Sequence, residues 1–536
     1  MLRVVPSPFR CRHLWQRLRR HGFDSQSFQV RASVMRMSTV SGARTSPKTA
    51  NSSPGVLGGL TLAAFGAGLG ISLFWPRSEK LVIHYASRQG MLKAAREIES
   101  ILGDEAVSYD DDDIETHALS DWSSVNSAGR AVAVVYVKST DEVAKAVSIL
   151  PYGAGSSIEG NFSSPYGGLI IDVTYMDKII AFHPEDMDIV VQPGVNWVDL
   201  NRKIKDENLF LPLDPSPTAT IGGMIGTNCS GTNAFRYGTM KDWVINVTVV
   251  LADGRIIKTR RRPRKTSAGY NLTSLFVGAE GTLGIVTEAT LKLAVVPTET
   301  SVAVFSFPNI SAAASATSKL IRSGIQLAAM ELMDDTQMGI VSKHGSEDVR
   351  NMHWEETPAL FLKFSGHSKE SVKADISRTK DIIATCSPSR YVFAKTKDEE
   401  VKFWAARKEA LWTMTSIKPE GYSIWSTDVA VPISRLADII EISKQEGAEL
   451  GVFTSIAGHV GDGNFHEALI YDPKNETHLA AVKQAVHNMI TRALQMEGTV
   501  SGEHAIGMGK IECLIDELGL VTMQLMKQLK HAVDPM

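Results

Sequence analysis

The chain has 536 residues, enough for several domain-sized units with large cores. Apolar residues make up 43% and charged residues 21%, which excludes a mainly disordered, collagen-like or multi-span membrane protein. The four cysteines are far apart and form no C-x-x-C, which excludes a disulfide scaffold and fits a reducing compartment, and a formal charge of −3 gives no sign of nucleic-acid binding.

The charge is unevenly placed. Residues 1–48 carry nine Arg, one Lys and a single acid, Asp24, while the remainder has 46 basic and 58 acidic residues, a net of −12. An Arg-rich, acid-poor N-terminus has the composition of a mitochondrial transit peptide. Cys11, Leu14, Trp15 and Leu18 recur at helical spacing among Arg10, Arg12, Arg17, Arg19 and Arg20. A disordered basic tail or an RNA-binding arm is the plainer reading. Residues 55–75 are free of charge and long enough to cross a bilayer once, with Trp75 and Arg77 suited to its interface. They read as a membrane span or inner-membrane sorting signal, or else as a glycine-rich linker.

A helical lead-in is expected over residues 80–129. Residues 131–137 are β-rich. Ser139-Thr-Asp-Glu142, followed by Val143, Ala146, Val147 and Leu150, predicts a capped helix reaching Leu150. Short β-branched runs follow at 169–173, 189–192, 244–252 and 283–293, with an Asp253-Gly254 hairpin signal. From residue 298 longer helical patterns (311–323, 433–450, 477–497) alternate with strands at 302–305 and 359–364. The expectation is an α+β protein with one domain over 130–297 and a second over 298–536.

Three glycine-rich segments fall in the first domain. They are Pro151-Tyr152-Gly153-Ala154-Gly155-Ser156-Ser157-Ile-Glu-Gly160-Asn161, Ile221-Gly222-Gly223 through Thr227 to Ser230-Gly231, and Gly278-Ala-Glu280-Gly281-Thr-Leu-Gly284-Ile285-Val286. Glycine lets the backbone turn sharply and lets a phosphate approach its N–H groups. Three such segments suggest one extended phosphate-bearing ligand. No G-x-x-x-x-G-K-[ST] is present, and no complete G-x-G-x-x-G follows a strand.

In order and spacing the three segments, with Arg260-Arg-Arg-Pro-Arg-Lys265-Thr-Ser-Ala-Gly-Tyr270-Asn-Leu-Thr, resemble the PCMH-type FAD-binding domain of the vanillyl-alcohol oxidase family. Within that family the pattern is similar to the mitochondrial cytochrome-linked D-lactate dehydrogenases. The resemblance spans roughly residues 95–535. It implies that Tyr152 to Asn161 cradles the flavin pyrophosphate and that Gly222, Gly223, Thr227, Ser230 and Gly231 line the diphosphate and ribityl chain. It places Glu280 to Val286 beside the adenine or flavin through backbone contacts. Ser156-Ser157 stand where covalent members carry a His, which implies non-covalent FAD. A second, FAD-linked oxidase C-terminal domain is implied after residue 297.

That second half holds Gly458-His459-Val-Gly-Asp-Gly-Asn464-Phe-His466 and Gly502-Glu503-His504. Two His bracketing a glycine-rich turn, with one carboxylate, form a set that zinc, manganese or ferrous iron accepts with a position left open. Ordinary hydrogen-bonded turn histidines would look the same. The resemblance implies that His459, His466 and Glu503 hold a divalent metal, zinc foremost. It implies that His504 is the base that takes the hydroxyl proton as hydride leaves C2 of a D-2-hydroxy acid for flavin N5. It implies that Arg407 receives the substrate carboxylate, although Arg407 also reads as a surface helix charge. On an extended strand Glu503 and His504 would face opposite ways, so a turn is required, and Gly502 and Gly507 permit one. Leu411, Ser426 and Ala468, with Trp412 and Trp425 nearby, suggest a small apolar pocket suited to D-lactate rather than 2-hydroxyglutarate.

The implied partners are a D-2-hydroxy acid, cytochrome c and the inner mitochondrial membrane, facing the intermembrane space. Two departures from the family pattern stand out. The helix ending near Leu150 runs directly into Pro151, where relatives have several more residues that form a strand. The chain also stops at Asp534-Pro-Met536, short of the family's closing segment. Other readings are a metal-dependent hydrolase using the same three ligands, an oxidase of glycolate or 2-hydroxyglutarate, and an inactive membrane-tethered homologue.

Overall fold

Among the described residues, valine- and isoleucine-rich runs up to residue 295 build three smaller sheets, and the chain from residue 299 builds one large sheet. The computed structural model describes residues 85–120, 123, 125–146 and 150–535. The basic leader, the apolar run 55–75 and the start of the expected lead-in lie outside the described residues. Among the described residues, no helix is long and apolar enough to cross a membrane.

The first sheet has the strand order Val107–Ser108, Ala133–Tyr136, Leu169–Asp172, Leu150–Tyr152. The last three strands run parallel. Parallel strands are covered on both faces, and Ala133, Val134, Val135, Ile170 and Ile171 are fully buried. Here the structure corrects two expectations. The helix after Ser139 spans only Thr140–Lys145, with Ser139 Oγ accepting from the amide of Glu142. Leu150 is not its last turn but the start of the strand that seemed to be missing. Proline has no N–H for a helix, and the same lack is tolerated on an edge strand, which is where Leu150–Tyr152 lies. The pyrophosphate-loop candidate therefore still leaves the end of a parallel strand.

An antiparallel five-stranded sheet follows, in the order Ile179–His183, Asp188–Val191, Ile285–Lys292, Val244–Val250, Ile256–Lys258. The Asp253-Gly254 turn joins its last two strands, with Gly254 at φ 80° as such a turn requires. The third glycine segment leads directly into Ile285–Lys292.

From Glu299 the chain forms an eight-stranded sheet. Its order is Arg390–Phe393, Glu299–Ser306, Ala359–Gly366, Leu327–Met333, Phe453–Gly458, Asn464–Tyr471, Ser423–Ser426, and Val429–Ala430 also pairs with Asn464–Tyr471. Helices Ile310–Arg322, Leu436–Glu449 and Glu476–Gln495 stand close to the predicted spans. The first two pack through Ala313, Leu320, Leu436 and Ile440 into one core with this sheet. The last helix, Ile511–Val533, bends at Gly519 and ends beside the third glycine segment, where Lys530 Nζ donates to the Thr282 carbonyl at 2.8 Å.

Candidate active site

The three glycine segments come together around polar atoms that have no partner among the described residues. In the first, Gly155 and Gly160 adopt φ of 62° and 71°. A Cβ on Gly153 would lie 2.8 Å from Thr220 Oγ1 at the head of the second segment. Thr220 Oγ1 and Asn161 Oδ1 are both buried without a hydrogen-bond partner. Buried polar atoms are almost always paired, so a polar ligand is the natural complement of this pair. Gly222 and Gly223 sit in the short helix Ile221–Thr227, and Thr227 Oγ1 donates back to the Gly223 carbonyl. A narrow, glycine-lined cradle with two orphaned polar groups fits the phosphate and ribityl part of FAD.

Two further members of the predicted cradle do something else. Ser230 Oγ and the Gly231 amide both donate to Glu503 Oε2, the latter at 2.9 Å. Glu280 is not only a backbone neighbour. Its carboxylate accepts from the amides of Ile506 (3.0 Å) and Gly507 (2.8 Å) and from Asn161 Nδ2. The glycine-rich cradle and the segment carrying Glu503 and His504 are thereby joined through side chains.

His459 directly follows the strand Phe453–Gly458, and His466 lies on the adjacent strand Asn464–Tyr471. The tight connection between them turns at Gly463, at φ 76°. The predicted fold-back is thus a hairpin, and it aims both rings at one point. His459 Nε2 lies 3.0 Å and His466 Nε2 lies 3.3 Å from the same oxygen, Glu503 Oε1. Their far nitrogens are held by acceptors, His459 Nδ1 by Glu331 Oε1 at 2.9 Å and His466 Nδ1 by the Thr427 carbonyl at 3.1 Å. Acceptors behind both Nδ1 atoms turn both Nε2 atoms inward, the arrangement in which metal-binding imidazoles are held. The three ligand atoms lie within 4.8 Å of one another, so the set fits a divalent cation. Burial alone would raise the Glu503 carboxyl, but His459 and His466 outweigh it and hold it well below the usual range. Burial likewise opposes charge on His459, yet Glu331 and Glu503 together raise its pKa well above the ordinary value.

His504 closes a tight turn over residues 502–504, ahead of Ala505 at φ 65° and Gly507 at φ 48°. The turn does what an extended strand could not, placing Glu503 and His504 at one site. The His504 ring stacks on His466 with centroids 4.8 Å apart. Its Nδ1 is buried with no hydrogen-bond partner, and burial lowers its pKa to about 4. At neutral pH it is an uncharged imidazole able to accept a proton.

Arg407, on the helix Lys397–Lys408, is buried rather than a surface charge. Its Nη2 lies 2.8 Å from Glu331 Oε2, while its Nε has no partner. Of the expected apolar pocket, Ser426 and Ala468 meet as a cross-strand pair. Ala468 packs near Met414. Trp425 instead packs toward Tyr471, and Leu411 and Trp412 are exposed at 41% and 62%. Those five residues therefore do not close one small pocket among the described residues. The enclosed part is Ser426 and Ala468.

Sequence reasoning missed Glu331 and Asp428. Glu331 is the one acid in the wholly buried strand Leu327–Met333, and a lone carboxylate in an apolar strand was a usable signal. Asp428, also fully buried, is flanked by short strands and had no such signature.

Comparison with known proteins shows the family. Residues 131–260 match a family model described as an FAD binding domain, and residues 296–536 match the C-terminal domain of FAD linked oxidases. The chain is 42% identical over 470 residues to the mitochondrial D-lactate dehydrogenase [cytochrome] of Kluyveromyces lactis, covering 84% of this chain and 81% of the relative. It is 32% identical over 413 residues to glycolate oxidase subunit GlcD of Bacillus subtilis, covering 75% and 86%. Substrate-bound p-cresol methylhydroxylase shares the fold, with a TM-score of 0.69 at 16% identity over 84% of this chain and 96% of that one.

Proposed function

The chain belongs to the FAD-linked oxidases, in the group of the mitochondrial D-lactate dehydrogenases, and from that premise we propose that it oxidises D-lactate to pyruvate and passes the electrons to cytochrome c. The observation that carries this reading is the position of Glu503. One of its oxygens receives Ser230 and Gly231 of the flavin cradle, and the other faces His459 and His466. A substrate held at the histidines is therefore next to the cradle.

When bound, FAD supplies the hydride acceptor. A divalent metal on His459, His466 and Glu503 supplies a Lewis acid for the substrate hydroxyl. The chain's own residues do the rest. Arg407 offers its unpaired Nε side to the substrate carboxylate and is held in place by Glu331. His504 takes the hydroxyl proton on its imidazole, which burial keeps neutral. Its stacking on His466 keeps the ring beside the proposed metal ligands.

The Arg-rich leader and the relatives' names support a mitochondrial location, and the run 55–75 would tether the protein to the inner membrane with the body toward the intermembrane space. A body of net −12 favours encounter with a basic acceptor such as cytochrome c. The likeness to a glycolate oxidase subunit keeps other small D-2-hydroxy acids in the same reading.

The test is anaerobic reduction of the purified flavoprotein by D-lactate, L-lactate, glycolate and D-2-hydroxyglutarate. D-Lactate should bleach the flavin fastest. His504→Ala should keep its flavin and lose reduction by about 10²–10⁴-fold. A wild-type flavin that no hydroxy acid reduces would overturn the proposal.

A further inference from the structure

Asp428 lies in the short link between the strands Ser423–Ser426 and Val429–Ala430 and is fully buried. Every hydrogen bond to its carboxylate comes from a donor. Oδ2 accepts from the amide of Glu503 at 2.9 Å, the amide of His504 at 2.8 Å and Ser501 Oγ at 2.9 Å. Oδ1 accepts from Asn464 Nδ2 at 2.8 Å. The preceding residue continues the pattern, since the Thr427 carbonyl holds His466 Nδ1 at 3.1 Å. One dipeptide thus sets the orientation of His466, Glu503 and His504.

The surroundings leave little freedom for that arrangement. A Cβ on Gly502 would lie 2.1 Å from Asn464 Nδ2 and 2.9 Å from Asp428 Oδ1, so only glycine lets the Glu503 segment come this close. Lys510 Nζ lies 3.0 Å from Glu159 and 3.7 Å from Asp428 Oδ2. The carboxylate also faces His466 Nδ1 at 3.8 Å and His504 Nδ1 at 4.0 Å. It could be a counter-ion for these rings and Lys510, or it could be the template on which the Glu503–His504 turn is formed.

We propose that Asp428 is a positioning residue, whose two oxygens hold the Glu503–His504 turn in register with His459 and His466 for the hydroxy-acid chemistry. The role rests on the proposed function, but its geometry does not. The donor pattern separates the two alternatives. In Asp428→Asn an –NH₂ must replace one oxygen. In one orientation it meets the amides of Glu503 and His504, and in the other it meets Asn464 Nδ2. Both leave donor facing donor in a buried place. The loss falls on the turn itself in the first orientation and on Asn464, which packs against Gly502, in the second, and in neither on volume.

The test uses the flavin-containing protein with three readouts. These are amide hydrogen exchange at Glu503 and His504, competition of a fluorescent chelator for Zn²⁺, and the rate of anaerobic flavin reduction by D-lactate. Asp428→Asn should keep its flavin, speed exchange of those two amides at least tenfold, and weaken Zn²⁺ binding by about 10–100-fold. Flavin reduction should slow by about 100-fold, the cost of a small misplacement of reacting groups. The double variant Asp428→Asn/Lys510→Met restores the wild-type net charge, although it unpairs Glu159, and should not recover any of the three. Should Asp428→Asn fail to fold, Ser501→Ala removes one donor only and should slow reduction several-fold while flavin content is unchanged. Wild-type amide exchange and Zn²⁺ affinity in Asp428→Asn, recovery in the double variant, or no effect of Ser501→Ala would each overturn the proposal. If the wild-type flavin is not reduced by any hydroxy acid, the functional reading fails, and amide exchange still decides the positioning role.

Discussion

Glu331 Oε1 lies 2.9 Å from His459 Nδ1, and its other oxygen lies 2.8 Å from Arg407 Nη2. One buried carboxylate therefore orients a candidate metal ligand and a candidate substrate-binding cation together. The two proposed halves of substrate recognition, hydroxyl and carboxylate, are coupled through a residue that touches neither.

Glu331→Gln should weaken divalent-metal binding by about 10–100-fold, the usual effect of losing the carboxylate behind a histidine ligand. Chelator competition with Zn²⁺ measures it. Glu331→Leu goes further, leaving the Arg407 charge buried and unpaired. It should cost about 3–5 kcal/mol of stability, read as a large fall in melting temperature. Unchanged metal affinity in both variants would mean that Glu331 has no part in the metal site.

Glu280 adopts φ 51°, unusual for a residue with a side chain, and its carboxylate caps the amides of Ile506 and Gly507 while accepting from Asn161. Backbone strain of this sort persists where the surroundings enforce it. Glu280→Gln puts an –NH₂ against at least one of those donors. Exchange at Ile506 and Gly507 should rise tenfold or more, and the protein should retain less flavin through dialysis. Unchanged exchange at both amides would remove the proposed link between cradle and catalytic turn.

Gly155 has φ 62°, and a Cβ there would lie 2.3 Å from the Tyr152 hydroxyl. The Tyr152 ring is itself packed against Phe162 and His117 and has little room to yield. Gly155→Ala should lower flavin content at least tenfold while the second domain stays folded. The ratio of visible flavin absorbance to polypeptide reports it.

The pH dependence of stability should carry a signature of His117. Its Nε2 lies 3.0 Å from Asp172 Oδ2 and its Nδ1 lies 2.8 Å from the Asp113 carbonyl. Burial opposes the charged ring, but the Asp172 hydrogen bond, the Asp113 carbonyl and both carboxylate charges outweigh it and raise the pKa. A raised histidine pKa stabilises the fold fully below the unfolded value of about 6.5 and loses that contribution as pH climbs through the folded value. Melting temperature should therefore decline with pH above that point, and His117→Gln should flatten the decline. An identical slope in the two proteins would show that the pair contributes nothing.

Local chemistry made much of this protein legible in its residues alone. Glycine spacing marked the cradle, because a backbone turning at positive φ leaves its mark in the sequence around it. His459, His466, Glu503 and His504 were legible because they sit in two short segments with few other roles. Even the altered strand at Leu150–Tyr152 has a local cause in Pro151. The supporting residues left no such mark. Glu331 is 128 residues from His459, Asp428 is 76 from His504, and Glu280 is 227 from Gly507. No periodicity spans such separations. Pairing of Leu327–Met333 with Phe453–Gly458 brings Glu331 to His459, folding within the second half brings Asp428 to His504, and contact between the two halves brings Glu280 to Gly507. The sequence determined which groups are available for chemistry, and the tertiary structure decided which oxygen faces which nitrogen.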